Sequence, residues 1–146
     1  MKNLFLLRHA KSSWDNAALA DFDRPLSKRG ISNAILLSEH IQKHNITFDL
    51  VLSSPSERTQ STLDLVLSSL DHFPTTTLKE SIYHASPSSL TQLIKEQDNE
   101  INNLLVIGHN PGLHILTEQL TNQSIVKFPT CAFAKITNFN HWKDID

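Results

Sequence analysis

A single cysteine, Cys131, stands among 146 residues. No disulfide can close within such a chain, and a reducing, cytoplasmic home is expected. An excess of charge is lacking too: the formal net charge is -2 with histidines neutral. That removes the global basic surface expected of a protein that binds nucleic acid or an anionic membrane. Long hydrophobic runs are missing from the start of the chain, where Leu4-Phe5-Leu6-Leu7 is the longest apolar stretch. It is too short for a secretory h-region or a membrane span. There is no repeat, no low-complexity segment and no HExxH motif, and His109 and His114 are not spaced as a zinc-binding i, i+4 pair. Cys131 lies in no recognisable nucleophile loop.

What remains is an ordinary globular mixture, 39% hydrophobic and 19% charged. Residues 1–146 are expected to form one domain, with a full core and no metal or disulfide staples. Eight histidines are many for this length and ask for a site.

Strand-like and helix-like runs alternate, which predicts an α/β fold: a three-layer sandwich with a mostly parallel sheet and helices on both faces. Strands are expected over residues 2–7, 49–54, 103–108 and 133–139, the last alternating and at an edge. One helix is expected from Ser27 to Lys43, with Ala34, Leu37 and Ile41 on its inner face. The next starts with Ser54 as N-cap, Pro55 at the first position and Glu57 completing a capping box, and buries Leu63, Val66, Leu67 and Leu70. Ser86-Pro87 opens a third helix and Asn110-Pro111 a fourth.

Three strands therefore end in polar groups: Arg8-His9, Ser53-Ser54 followed by Arg58, and Gly108-His109. In open α/β sheets ligands bind beyond the carboxyl ends of the strands. Arg58 falls in the first turn of a helix whose N-terminus faces that crevice, and such termini favour anions. Two arginines and two histidines then surround an anion pocket. Phosphate suits it, because the guanidinium fork matches phosphate oxygens bidentately.

Five blocks carry a resemblance across most of the chain. "LLRHAKSSW" resembles the strand-end RHG motif of the histidine phosphatase superfamily, also called phosphoglycerate mutase-like. "DRPLSKRG", "VLSSPSERTQST", "ESIYHA" and "VIGHNPGL" are similar to the elements that follow it, in the same order. The short length and the RHA and HNP variants look most like the small phosphohistidine phosphatase (SixA-type) branch. The resemblance implies that His9 takes the phosphoryl group, that Arg8, Arg58 and His109 bind phosphate, and that Glu80 stands where many members keep a proton donor. It implies no metal and no cofactor. It also implies a phosphohistidine-bearing protein or a small phosphorylated molecule as partner, with no nucleic acid and no membrane. Ala10 replaces the usual glycine, and Lys11 stands where larger mutases often carry glutamate. Both departures weaken a transfer of mutase activity.

Each residue has a plainer reading beside this one. Arg8 could form a surface ion pair, Arg58 could pair with Glu57 or Asp64, His109 could cap the next helix, and Glu80 could be a solvated loop residue. Arg24 is expected to anchor its loop. Trp14 and Tyr83 are expected to pack, and His40, His44, His72, His84, His114 and His141 to be surface or packing residues. A small phosphomonoester as substrate, or an idle phosphate-binding module, are the alternatives to a phosphohistidine phosphatase.

Overall fold

Apolar runs bounded by polar turns become five strands, and a computed structural model describes them together with all of residues 1–146. The strands are β1 (Asn3–Arg8), β2 (Leu50–Ser53), β3 (Thr75–Leu78), β4 (Asn103–Gly108) and β5 (Phe133–Ile136). The helices are α1 (Lys28–Lys43), α2 (Glu57–Val66), α3 (Pro87–Lys95) and α4 (Gly112–Thr121). The strands lie in the order β3-β2-β4-β1-β5. The first four are parallel and β5 runs antiparallel to β1.

β1 and β4 read as continuous apolar runs because both of their faces are covered. Alternate residues go to opposite sides. Leu4, Leu6, Leu104 and Val106 face one layer of core with Leu90 and Ile94 of α3 and Leu113, Leu116 and Leu120 of α4. Phe5, Leu7, Leu105 and Ile107 face the other, with Ala34 and Ile41 of α1 and Leu63 and Val66 of α2. The expected three-layer sandwich is the observed one. No helix is long and apolar enough to cross a membrane.

Local signals placed most boundaries. Ser27 caps α1 by accepting the Gly30 N–H, and Ser86 caps α3 by accepting that of Ser89. The start of α2 differs from expectation. Its N-cap is Ser56, not Ser54, and the helix begins at Glu57. The Ser54 hydroxyl is used elsewhere, accepting the Ser56 N–H at 3.3 Å and lying 2.8 Å from His109 Nε2. β3 was not foreseen: Thr75–Leu78 has no apolar alternation because it is a half-exposed edge strand.

This topology positions the site. β1 and β4 are neighbours, with Arg8 paired to Gly108 at their carboxyl ends. The chain leaving β1 goes to α1 on one face, and the chain leaving β4 goes to α4 on the other. The two connections part there and open a crevice at the topological switch point.

Candidate active site

A cavity of about 290 Å³ lies in that crevice, lined among others by Arg8, His9, Arg58 and His109. The four residues expected at strand ends and in the first turn of α2 thus meet at one place.

His9 is fixed by its neighbour's backbone. Nδ1 lies 2.7 Å from the Ala10 carbonyl oxygen, which can only accept, so Nδ1 carries the proton and Nε2 keeps its lone pair. Burial, helped by Arg58 and Arg8, pushes the imidazole down to about 4, so the ring is neutral at physiological pH. Ala10 is fully buried in the core layer with Ala34 and Ile41 of α1 and does not line the cavity, while its N–H donates to Thr62 Oγ1 at 2.9 Å. The alanine that departs from the family's glycine therefore costs the pocket no space.

Arg8 donates through Nη1 to the Phe128 carbonyl at 3.2 Å, and its buried Nε has no partner within the protein. An orphaned buried donor beside a cavity is a ready contact for an anion. Burial first, and Arg58 second, pull the Arg8 pKa down, a cost that a bound anion relieves. His109 approaches His9 with ring centroids 5.2 Å apart. Its Nε2–H donates to Ser54 Oγ, and Nδ1 accepts from Arg58 Nη2 at 3.4 Å. Burial, then the charges of His9 and Arg58, push it down to about 3.

Arg58 shows what the sequence did not reveal. Its Nη1 donates to the Asp21 carbonyl at 2.7 Å and its Nη2 to Asp21 Oδ2 at 3.0 Å. Asp21 is the hub of the site. It also accepts from Arg24 Nη1 at 3.3 Å and from Tyr83 Oη at 2.5 Å, and lies 3.4 Å from His84 Nε2. The Tyr83 hydrogen bond, joined by those from the arginines, holds the Asp21 carboxyl well below the usual carboxylate range. It is an ionised clamp, not a proton donor.

Arg24 anchors its loop as expected, donating to the Ser13 carbonyl and to Ser12 Oγ. Trp14 does not pack in the core. It is 76% exposed at the cavity rim, with the Arg24 guanidinium 3.2 Å from its ring centre. Glu80 is not brought to the cavity. The 3-10 turn Glu80–Ile82 buries Ile82 in the core and leaves Glu80 outside, exposed. The residues of that segment which reach the site are Tyr83, through Asp21, and His84, which lines the cavity. Asn110 lines it too, with a buried Oδ1 that has no partner within the protein. Burial raises the Cys131 thiol to about 11, which keeps it protonated and unreactive.

Comparison with known proteins agrees with this geometry. The profile of the histidine phosphatase superfamily (branch 1) matches residues 4–85, more than half of the chain. An uncharacterized chloroplastic protein of Arabidopsis thaliana is 32% identical, over 98% of this chain and 70% of that protein. A structure from Agrobacterium tumefaciens named for the phosphohistidine phosphatase SixA is 26% identical, with a TM-score of 0.86 over 92% of this chain and 90% of that one. A SixA protein histidine phosphatase in complex with tungstate shares the fold, with a TM-score of 0.83 at 24% identity over 94% of this chain and 89% of that one. A strand-end Arg-His pair facing a second arginine and a second histidine, on a chain matched by that profile, leads to one conclusion: this protein belongs to the histidine phosphatase superfamily.

Proposed function

We propose that the chain is a metal-independent phosphatase that passes the phosphoryl group through His9, with phosphohistidine on a protein as its substrate. The observation that carries this reading is the tautomer of His9. Its Nδ1–H is held by the Ala10 carbonyl at 2.7 Å, which leaves the Nε2 lone pair to the cavity. Attack by Nε2 on phosphorus gives a cationic phosphoimidazole, and attack by water then returns neutral His9 and inorganic phosphate. The transition states are loose, so catalysis rests on positioning and charge. Arg8 and Arg58 supply the charge, and His109 binds a phosphate oxygen by turning its Nε2–H from the Ser54 hydroxyl to the substrate.

The openness of the cavity supports a protein-borne substrate. Residues 71–86, the stretch available for a lid, are spent on β3 and a 3-10 turn. The likeness to the Agrobacterium structure named for SixA points the same way. An idle phosphate-binding module would need the arginines but not a nucleophile with a fixed tautomer.

The test is turnover of a phosphohistidine protein beside a panel of phosphomonoesters, with chelator present. Phosphate should be recovered on His9 after alkaline denaturation, and His9→Ala should lose about 10⁴–10⁶-fold in rate. Retention of near-wild-type turnover by His9→Ala would overturn the mechanism. Faster cleavage of alkyl esters than of phosphohistidine would overturn the substrate assignment alone.

A further inference from the structure

Phosphoryl transfer to His9 needs a proton at a basic leaving atom, whether that atom is an imidazole nitrogen or an alkyl ester oxygen. Glu80 lies outside the cavity, and Asp21 is an ionised clamp held by Arg58, Arg24 and Tyr83. Arginine gives up no proton near neutral pH. Imidazole is the side chain that exchanges protons there, and three of them line the cavity: His9, His84 and His109. His9 is the nucleophile. His109 is tied to Ser54 on one nitrogen and faces Arg58 with the other.

His84 is different in three respects. Its side chain is 58% exposed, so water reaches the ring while it lines the cavity. Its ring sits within a defined group: Nε2 is 3.4 Å from Asp21 Oδ2, and the ring centre is 4.0 Å from that of Tyr83 and 5.6 Å from that of His109. Arg58 reaches the same Asp21 oxygen at 3.0 Å. Finally, its backbone has φ 56°, in the left-handed region that histidine enters more readily than most residues. Here Ile82 is buried on one side, and on the other the Ala85 carbonyl sits so close to Gly112 that any Cβ there would overlap it. The backbone on either side of His84 is thus fixed by packing at the rim.

We propose, building on the His9 reading above, that His84 is the general acid and base of the reaction. In the first step His9 Nε2 bonds to phosphorus, the bond from phosphorus to the leaving atom breaks, and the His84 imidazolium gives a ring N–H proton to that atom. In the second step neutral His84 takes a proton from water as its oxygen bonds to phosphorus and the bond to His9 breaks. The sum is one water consumed and His84 returned to its starting state.

The test uses substrates that differ in their need for a proton. An aryl ester such as p-nitrophenyl phosphate leaves as a stable phenolate; an alkyl ester such as glycerol phosphate does not. His84→Asn suits the left-handed backbone. Single-turnover phosphorylation of His9 by the alkyl ester should fall by about 10²–10⁴-fold, and the aryl-to-alkyl rate ratio should rise at least about 100-fold by the same proton-transfer argument. His84→Ala, with added imidazole restoring the alkyl reaction, is the second arm. Equal losses on both esters, or no loss on the alkyl ester, would overturn the role of His84 and leave the His9 reading intact. A wild-type protein that never acquires phosphate on His9 would overturn that reading, and the role of His84 with it.

Discussion

The chemistry of single residues here is set by which protons they are denied. His9 and His109 carry little positive charge in a cavity already crowded with guanidinium groups, because burial and those neighbours push them down to about 4 and about 3. The protonated form of His9 has no lone pair for phosphorus. Under the proposed mechanism, activity is expected above the folded-state pKa and lost as pH falls through it, well below the ordinary histidine value of 6.5. An NMR titration of the His9 ring should give a midpoint near 4. The acid limb of kcat/KM, once substrate ionisation is divided out, should follow it, since kcat/KM reports the free enzyme. A midpoint near 6.5 would mean that the ring is neither desolvated nor opposed by Arg58 and Arg8.

At the scale of elements, the site was legible wherever a functional residue ended an apolar run. Leu4 to Leu7 and Leu104 to Ile107 announce strands buried on both faces, so the residues that follow them, Arg8-His9 and His109, could be placed at strand ends. Arg58 could be placed in the first turn of its helix, although the N-cap is two residues beyond the one expected. Asp21, Tyr83 and His84 could not be placed. They lie in turns with no hydrophobic period, and their meeting depends on contacts with Arg58 and His109 that are distant in sequence. Gly30 shows how tightly one such segment is built. It is the second residue past Lys28 in α1, where alanine would ordinarily gain about 1 kcal/mol in helix propensity. A Cβ there would overlap the Lys11 carbonyl, which is rigid backbone already bound by the Ser27 N–H. Overpacking costs about 1–3 kcal/mol and wins. Gly30→Ala should lower the melting temperature and reduce kcat, because the displaced loop carries Lys11 and Ser12 into the cavity wall. A raised melting temperature would show that the loop yields.

For the molecule as a whole, a net charge of -2 makes the cationic cavity a local feature, built by Arg8, Lys11, Arg24 and Arg58 against the single carboxylate of Asp21. Its two halves are anchored differently. The strand end is held from both sides: the Arg8 N–H donates to the Ala132 carbonyl at 3.0 Å and the His9 N–H to the Gly108 carbonyl at 3.1 Å. The Cys131 N–H in turn donates to the carbonyls of Arg8 and His9. The Asp21 segment is a 3-10 turn with no buried residue, tied down mainly by side chains. Local opening costs little where burial is sparse and approaches the global free energy in central strands. The amide protons of Arg8 and His9 should therefore exchange with solvent as slowly as that of Val106, in events that take the sheet apart. Those of residues 21–23 should exchange orders of magnitude sooner, and equal rates would show the site opening as one unit. His9 thus has the lifetime of the fold, while the clamp on Arg58 opens and closes many times within it.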